Sequence, residues 1–246
     1  MKKSLAAAAF AFLTFSLLAL YPTSLFAQSD TSDQDASTID PSSVAESGSK
    51  PADFAPKGWK VEEDVKGDLN GDGIVDHCIK LIEDKPGNTE DTMNDRSRAL
   101  VVVFGRQDGG LVKAAVAGKL LQCTGCGGAF YGVSDAPANV KIEKSVIIVE
   151  QDHGSRSVTE TTLRFRYDEQ PGMFILIGYD YSSRDRADGS SSSESTNYLT
   201  GKRITTVAKG KRSTTKTTTV AKDRMSIEEV DSEEMDAAAT HRLGLD

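Results

Sequence analysis

Asp68-Leu69-Asn70-Gly71-Asp72-Gly73-Ile74-Val75-Asp76 decides how the rest of this chain is read. Side-chain oxygens recur at 68, 70, 72 and 76, and Ile74 can offer its backbone carbonyl. Calcium is a hard cation that takes about six to eight oxygens, and this alternate spacing suits it. Gly71 and Gly73 allow the sharp turns that such a loop needs. The run Val75-Asp76-His77-Cys78-Ile79-Lys80-Leu81-Ile82 alternates and leaves the loop as a strand. The stretch therefore reads as a calcium loop that leads into a β-strand. Its expected ligands are Asp68, Asn70, Asp72, Asp76 and the Ile74 carbonyl. The helix-loop-helix calcium site is excluded, because Ile79 stands where its twelfth position needs glutamate and the flanks are not helical. Magnesium suits the loop less well, since it prefers a stiff octahedron with fewer protein ligands. The competing interpretation is a hydrated Asx and glycine turn with no ion.

Outward from the loop the chain reads as β almost throughout. Residues 99–104 form a continuous apolar run, the pattern of a central strand. Residues 111–117 return after the turn Gln107-Asp108-Gly109-Gly110. Residues 140–149 read as one strand, and 157–167 alternate apolar with charged residues. Glu169-Gln170-Pro171-Gly172 makes a hairpin turn before an apolar strand at 173–181. Residues 182–195, rich in Ser, Asp and Arg, read as a loop. The expected fold is mainly β: a single-domain antiparallel meander, sandwich-like, spanning 57–222. Trp59, the only tryptophan, reads as an anchor of its core or lid.

The flanks differ in composition. Lys2 and Lys3 precede an apolar run from Leu5 to Leu20, and Ala27 precedes a polar stretch, the layout of a signal peptide at 1–27. Export to the periplasm or beyond is expected, with no membrane anchor after cleavage. Residues 28–56 are rich in Ser, Asp, Thr, Pro and Ala and read as a disordered linker. Residues 199–222 carry seven basic residues and no acid, whereas 223–246 form an acidic tail with a short helix expected around 227–239. The basic segment that opens on Lys202 and closes on Lys222 reads as a solvated edge hairpin turning at Lys209-Gly210-Lys211. Its functional alternative is a patch for an anionic glycan, lipid headgroup or envelope protein, neutralised in part by the tail. A formal net charge of −8 argues against a whole-protein nucleic-acid binder.

Cys123-Thr124-Gly125-Cys126 is a C-x-x-C, and Cys78 stands alone. In an exported protein the C-x-x-C is read as a local disulfide. A redox site would need the first cysteine at a helix start, which Gly125, Gly127 and Gly128 disfavour. Zinc would need two further ligands, and no second spaced pair exists. Cys78 reads as a small buried residue of the sheet. There is no G-x-S-x-G elbow and no phosphate-binding glycine loop. Asp152-His153-Gly154-Ser155 has the letters of a triad, but neighbours in sequence cannot supply its geometry unaided.

The motif Asp-x-Asn-Gly-Asp-Gly-x-x-Asp, with Leu100-Val101-Val102-Val103-Phe104-Gly105 and Gln107-Asp108-Gly109-Gly110 after it, resembles the FG-GAP and VCBS repeats of secreted and cell-surface proteins. The resemblance covers about residues 66–114 and implies calcium on Asp68, Asn70, Asp72, Asp76 and the Ile74 carbonyl. The family repeats its unit several times, and here the unit occurs once. A closed propeller does not fit the remaining length. The chain is also similar in outline to single-unit secreted bacterial proteins without a defined activity. The expected role is binding or envelope structure, with calcium as a structural tie. The alternatives are a hydrolase of envelope or extracellular polymer, using groups in 123–131 or around Asp152 and His153, and docking on an anionic surface through 202–222.

Overall fold

The computed structural model describes residues 38–89, 92 and 94–245. The expected signal peptide and residues 28–37 of the expected linker lie outside them. The chain is mainly β, as its alternation implies, and every strand pairing is antiparallel. β1 (Ser47–Gly48), β2 (Trp59–Gly67), β3 (Asp76–Glu83), β4 (Arg98–Gly105) and β5 (Leu111–Ala117) form a sheet in the order β1-β5-β4-β3-β2. β4 is the central strand, and its uninterrupted apolar run has a direct cause. Leu100 and Val102 face one core, while Ala99, Val101 and Val103 face another.

The second of these cores corrects the expectation of a linker over 28–56. Ile39, Val44 and Phe54 are buried against the outer face of the first sheet, with Trp59 packed beside them. Residues 38–56 therefore belong to the same compact unit as the sheets. Three apolar side chains, spaced widely among polar residues, are enough because the exposed sheet face is already apolar. Burying one such side chain contributes about 1.5–3 kcal/mol. Short 3-10 turns at Pro41–Ser43 and Pro51–Phe54 absorb the polar residues between them.

β6 (Ala138–Glu143), β7 (Val146–Gly154), β8 (Ser157–Asp168), β9 (Met173–Asp185), β10 (Ser191–Asn197), β11 (Lys202–Lys209) and β12 (Arg212–Thr219) form the second sheet, each strand beside the next in sequence. This sheet curls into a half-barrel. Two expectations are corrected here. Residues 140–149 are two strands joined by a tight turn at Lys144 and Ser145, both with positive φ. Neither is a usual residue for that conformation, so the alternation runs through the turn unmarked. Residues 182–195 are not a loop: β9 continues to Asp185, and β10 follows with Ser192, Glu194 and Thr196 buried in alternation. Serine carries little strand propensity, so only its neighbours reveal the strand. The basic segment forms the β11–β12 hairpin, turning at Gly210.

The two sheets share an apolar core that includes Cys78, Leu100 and Val102 on one side and Ile147, Leu163, Phe165 and Leu176 on the other. The tail folds back on it. Ile227 and Val230 enter the core, and α1 (Ser232–Leu243) follows, beginning and ending later than the expected 227–239. Asp231 caps its start by accepting from the Glu233 and Glu234 N–H groups, and Gly244 ends it in the left-handed conformation. Among the described residues, no ion pair joins the tail's carboxylates to the hairpin's lysines. Also among the described residues, no helix is long and apolar enough to cross a membrane.

Candidate functional site

The acidic loop lies between β2 and β3 and is closed by its own backbone. Asp68 accepts the Gly71 N–H at 2.7 Å and the Gly73 N–H at 3.1 Å. Asn70 accepts from the Asp72 N–H at 3.0 Å, and Asp72 accepts from the Ile74 N–H at 2.7 Å. Asp76 turns inward and is fully buried. Its two oxygens accept the Leu69 N–H at 2.8 Å and the Gly105 N–H at 2.9 Å, which ties the loop to the end of β4. Gly105 has to be glycine for this contact, because a Cβ there would lie 2.2 Å from the Val75 carbonyl oxygen. Burial raises the pKa of Asp76, and the charges of Asp72 and Asp68 push in the same direction. The expected ligands Asp68, Asn70, Asp72, Ile74 and Asp76 thus share one loop, in which the Asn70 amide also donates to Asp72 at 3.1 Å. Among the described residues, no three acidic, His or Cys side chains meet as a metal would require.

A second candidate arises on the inner face of the curled sheet. Alternate residues there are apolar at one end, with Ile147 and Val149 opposite Phe165 and Leu163. One row further on the face becomes polar: Gln151, Thr161 and Tyr181 stand side by side, followed by His153, Thr159 and Ser183. α1 lies along this polar end and borders a half-open cavity of about 570 Å³. His153, Thr159 and Tyr181 line it from the sheet, Asp236 and Ala237 from the helix, and Cys126 from the disulfide loop.

Polar contacts hold the helix in place. The Tyr179 hydroxyl donates to Asp236 Oδ1 at 2.8 Å, and Tyr181 shares a hydrogen bond with Thr240 at 2.9 Å. Glu194 is buried and takes both arms of Arg242, at 2.7 and 2.8 Å, with Arg203 3.2 Å away. This forked pairing is the strong form of an ion pair. His153 Nε2 lies 3.5 Å from Asp236 Oδ2, long for a hydrogen bond. Burial beside Asp236 pushes the Tyr179 phenol up, so it stays a donor.

The Cys123–Cys126 disulfide is formed, and its loop makes one wall of the cavity. Gly154 N–H donates to the Gly127 carbonyl at 3.0 Å. Tyr131 donates to the Asp152 carboxylate at 2.7 Å; burial and Asp152 together push its phenol up to about 12. Cys78 is buried in β3, and burial pushes its thiol pKa far above the ordinary value, so it packs as a core residue.

Of the groups considered for catalysis, the structure separates Asp152 from His153. Asp152 holds Tyr131, whereas His153 meets Asp236 from the tail. Among the described residues, no serine hydroxyl hydrogen-bonds to His153, so the nucleophile–base contact of a triad is not assembled. Asp236, Tyr179, Glu194 and Arg242 were not singled out from the sequence. Tyr179 lies on an apolar strand legible in the sequence, whereas Glu194 points inward from a serine-rich strand whose composition reads as a loop.

Comparison with known proteins returns no match. No family model, no curated protein and no solved structure matches the chain.

Proposed function

We propose that this chain is an exported binding protein that takes a small organic ligand in the cavity between α1 and the curled sheet. The observation that carries this proposal is the cavity itself. Its volume is within the usual range for ligand sites, and a few polar groups converge on it from separate elements. The sheet supplies Gln151, His153 and Tyr181 on rigid strands, and the helix supplies Asp236 and Thr240. Ala237 lines the cavity from α1, so Ala237→Trp would fill it without removing a polar group. A fragment panel followed by ligand-observed NMR tests this proposal. Fragments should bind the wild-type chain and lose binding in Ala237→Trp. Equal binding by both proteins would place the site elsewhere.

A second proposal concerns the loop at 68–76, where one observation favours an ion. The charges of Asp68 and Asp72 both add to the burial that raises the pKa of Asp76, so its carboxylate is repelled by two others of the same loop. Calcium on Asp68, Asn70 and Asp72, with the Ile74 carbonyl and water, would relieve that repulsion and act as a structural tie. It would have to draw oxygens away from their present N–H partners. A protein that binds an ion only when folded gains about 2.7 kcal/mol at a hundredfold excess over Kd. A thermal melt after chelation should rise with calcium, more than with magnesium, and not in Asp72→Ala. No rise with either ion would leave the loop a hydrogen-bonded turn.

A further inference from the structure

Several carboxylates on the curled sheet hold arginines, whereas Asp152 holds the Tyr131 phenol. Asp180 holds Arg164 at 2.5 Å, Asp185 holds Arg156 at 2.8 Å, and Asp168 holds Arg224 at 2.8 Å. The buried Glu194 has two arginines. Asp236, on α1, faces the cavity without such a cation. Its side chain is 18 % exposed, yet its partners are the Tyr179 hydroxyl and, at 3.5 Å, the His153 imidazole. An imidazole is not a fixed cation. Among the described residues, no lysine or arginine lies within ion-pair distance of Asp236, and none lines the cavity it faces.

A second carboxylate, Glu233, also lines that cavity, again with no lysine or arginine at ion-pair distance among the described residues. Its place in the first turn of α1 gives it some support from the helix dipole, which fades over a turn and reaches Asp236 less. An independent observation comes from the sheet. Thr161 is 3 % exposed, and its hydroxyl has no hydrogen-bond partner. It stands directly between Gln151 and Tyr181, both of which line the cavity, and on the same face. The cavity therefore has two carboxylates without a lysine or arginine partner, hydroxyls from Ser157, Thr159 and Ser183 on its wall, and the unpartnered Thr161 hydroxyl buried in the strand row that supplies Gln151 and Tyr181. No lysine or arginine is among its lining residues.

We infer that the cavity selects an organic ammonium ion, with Asp236 as the counter-charge and Glu233 as a second attraction at the rim. This inference rests on the proposal that the cavity is the binding site. Three probes of one skeleton test it: phenethylamine, phenethyl alcohol and phenylacetate, titrated calorimetrically into the full chain. The amine should bind at least tenfold more tightly than the alcohol, and phenylacetate most weakly. Asp236→Asn should erase the preference for the amine while leaving alcohol binding in place. Glu233→Gln, which does not touch Tyr179, should reduce the preference in part and serves if Asp236→Asn does not fold. Equal binding of all three probes, or tighter binding of phenylacetate, would overturn the ammonium assignment and leave the cavity a binding site. Binding of none would overturn both.

Discussion

Asp76 and Glu194 are both carboxylates without solvent exposure of consequence, and they are stabilised in opposite ways. Asp76 is held by two backbone N–H groups, with two more negative charges nearby. Glu194 is held by two guanidinium groups from β11 and α1. The first arrangement is local apart from Gly105 and makes a turn. The second joins elements far apart in the chain and positions the helix that borders the cavity. A buried charge costs several kcal/mol unless it is paired and hydrogen-bonded. Where such pairing bridges separate elements, it marks the part of the molecule whose geometry matters most.

This contrast breaks most readily at Glu194. Glu194→Ala leaves Arg203 and Arg242 without their shared anion. Removing one partner of a buried pair costs about 3–5 kcal/mol. The arginine side chains are 18 % and 32 % exposed and can reach water, so a loss near ~3 kcal/mol is expected. Urea denaturation would measure it. Hydrogen exchange should show α1 deprotected ahead of the first sheet. A change below ~1 kcal/mol would mean that apolar packing at Ala239 and Leu243, and not the ion pair, seats the helix.

At the other carboxylate the effect is smaller and depends on pH. Asp76→Asn keeps one acceptor and turns an amide N–H toward a backbone donor, a loss of about 1–2 kcal/mol. The direction of the pH dependence follows from the raised pKa. A carboxyl that holds its proton more tightly when folded adds stability below its unfolded value, here near 3.8. That contribution disappears as pH rises through the higher folded value. The advantage of wild type over Asp76→Asn should therefore narrow as pH rises from below 3.8. Denaturant midpoints of both proteins across that range would show it. A widening gap would mean that the two N–H groups outweigh burial.

The difference between the two regions also explains how far each could be read in the sequence. The loop at 68–76, the central run at 99–104 and the disulfide of Cys123 and Cys126 are local patterns, and the structure contains each as a turn, a strand and a bridge. The strap over 38–56 was hidden because three apolar residues among many polar ones do not announce a core. β10 was hidden because Ser-Ser-Ser-Glu-Ser-Thr-Asn gains its order from pairing with β9 and β11. The cavity was hidden most completely. His153 meets Asp236, and Glu194 meets Arg242, only after the tail has returned across the sheet. No local spacing encodes such meetings.

The turn at Lys144 and Ser145 gives the smallest effect and sharpens the description of the loop's end of the molecule. Both residues adopt left-handed backbone, with φ of 51° and 60°, which costs roughly 1–2 kcal/mol each for a residue with a Cβ. Ser145 has a compensation: its hydroxyl donates to the Asp68 carbonyl at 2.7 Å and joins the second sheet to the acidic loop. Among the described residues, no partner accepts or donates a side-chain hydrogen bond of that kind at Lys144. Lys144→Gly should therefore stabilise the fold by a few tenths of a kcal/mol up to ~1, the strain relief less glycine's added freedom when unfolded. Ser145→Ala keeps the strain and loses the hydrogen bond, a cost of about 1 kcal/mol. Ser145→Gly removes both and should lie near zero. Urea midpoints in that order would establish the tie between turn and loop. Equal midpoints for Ser145→Ala and wild type would show that Asp68 is held by its own loop alone.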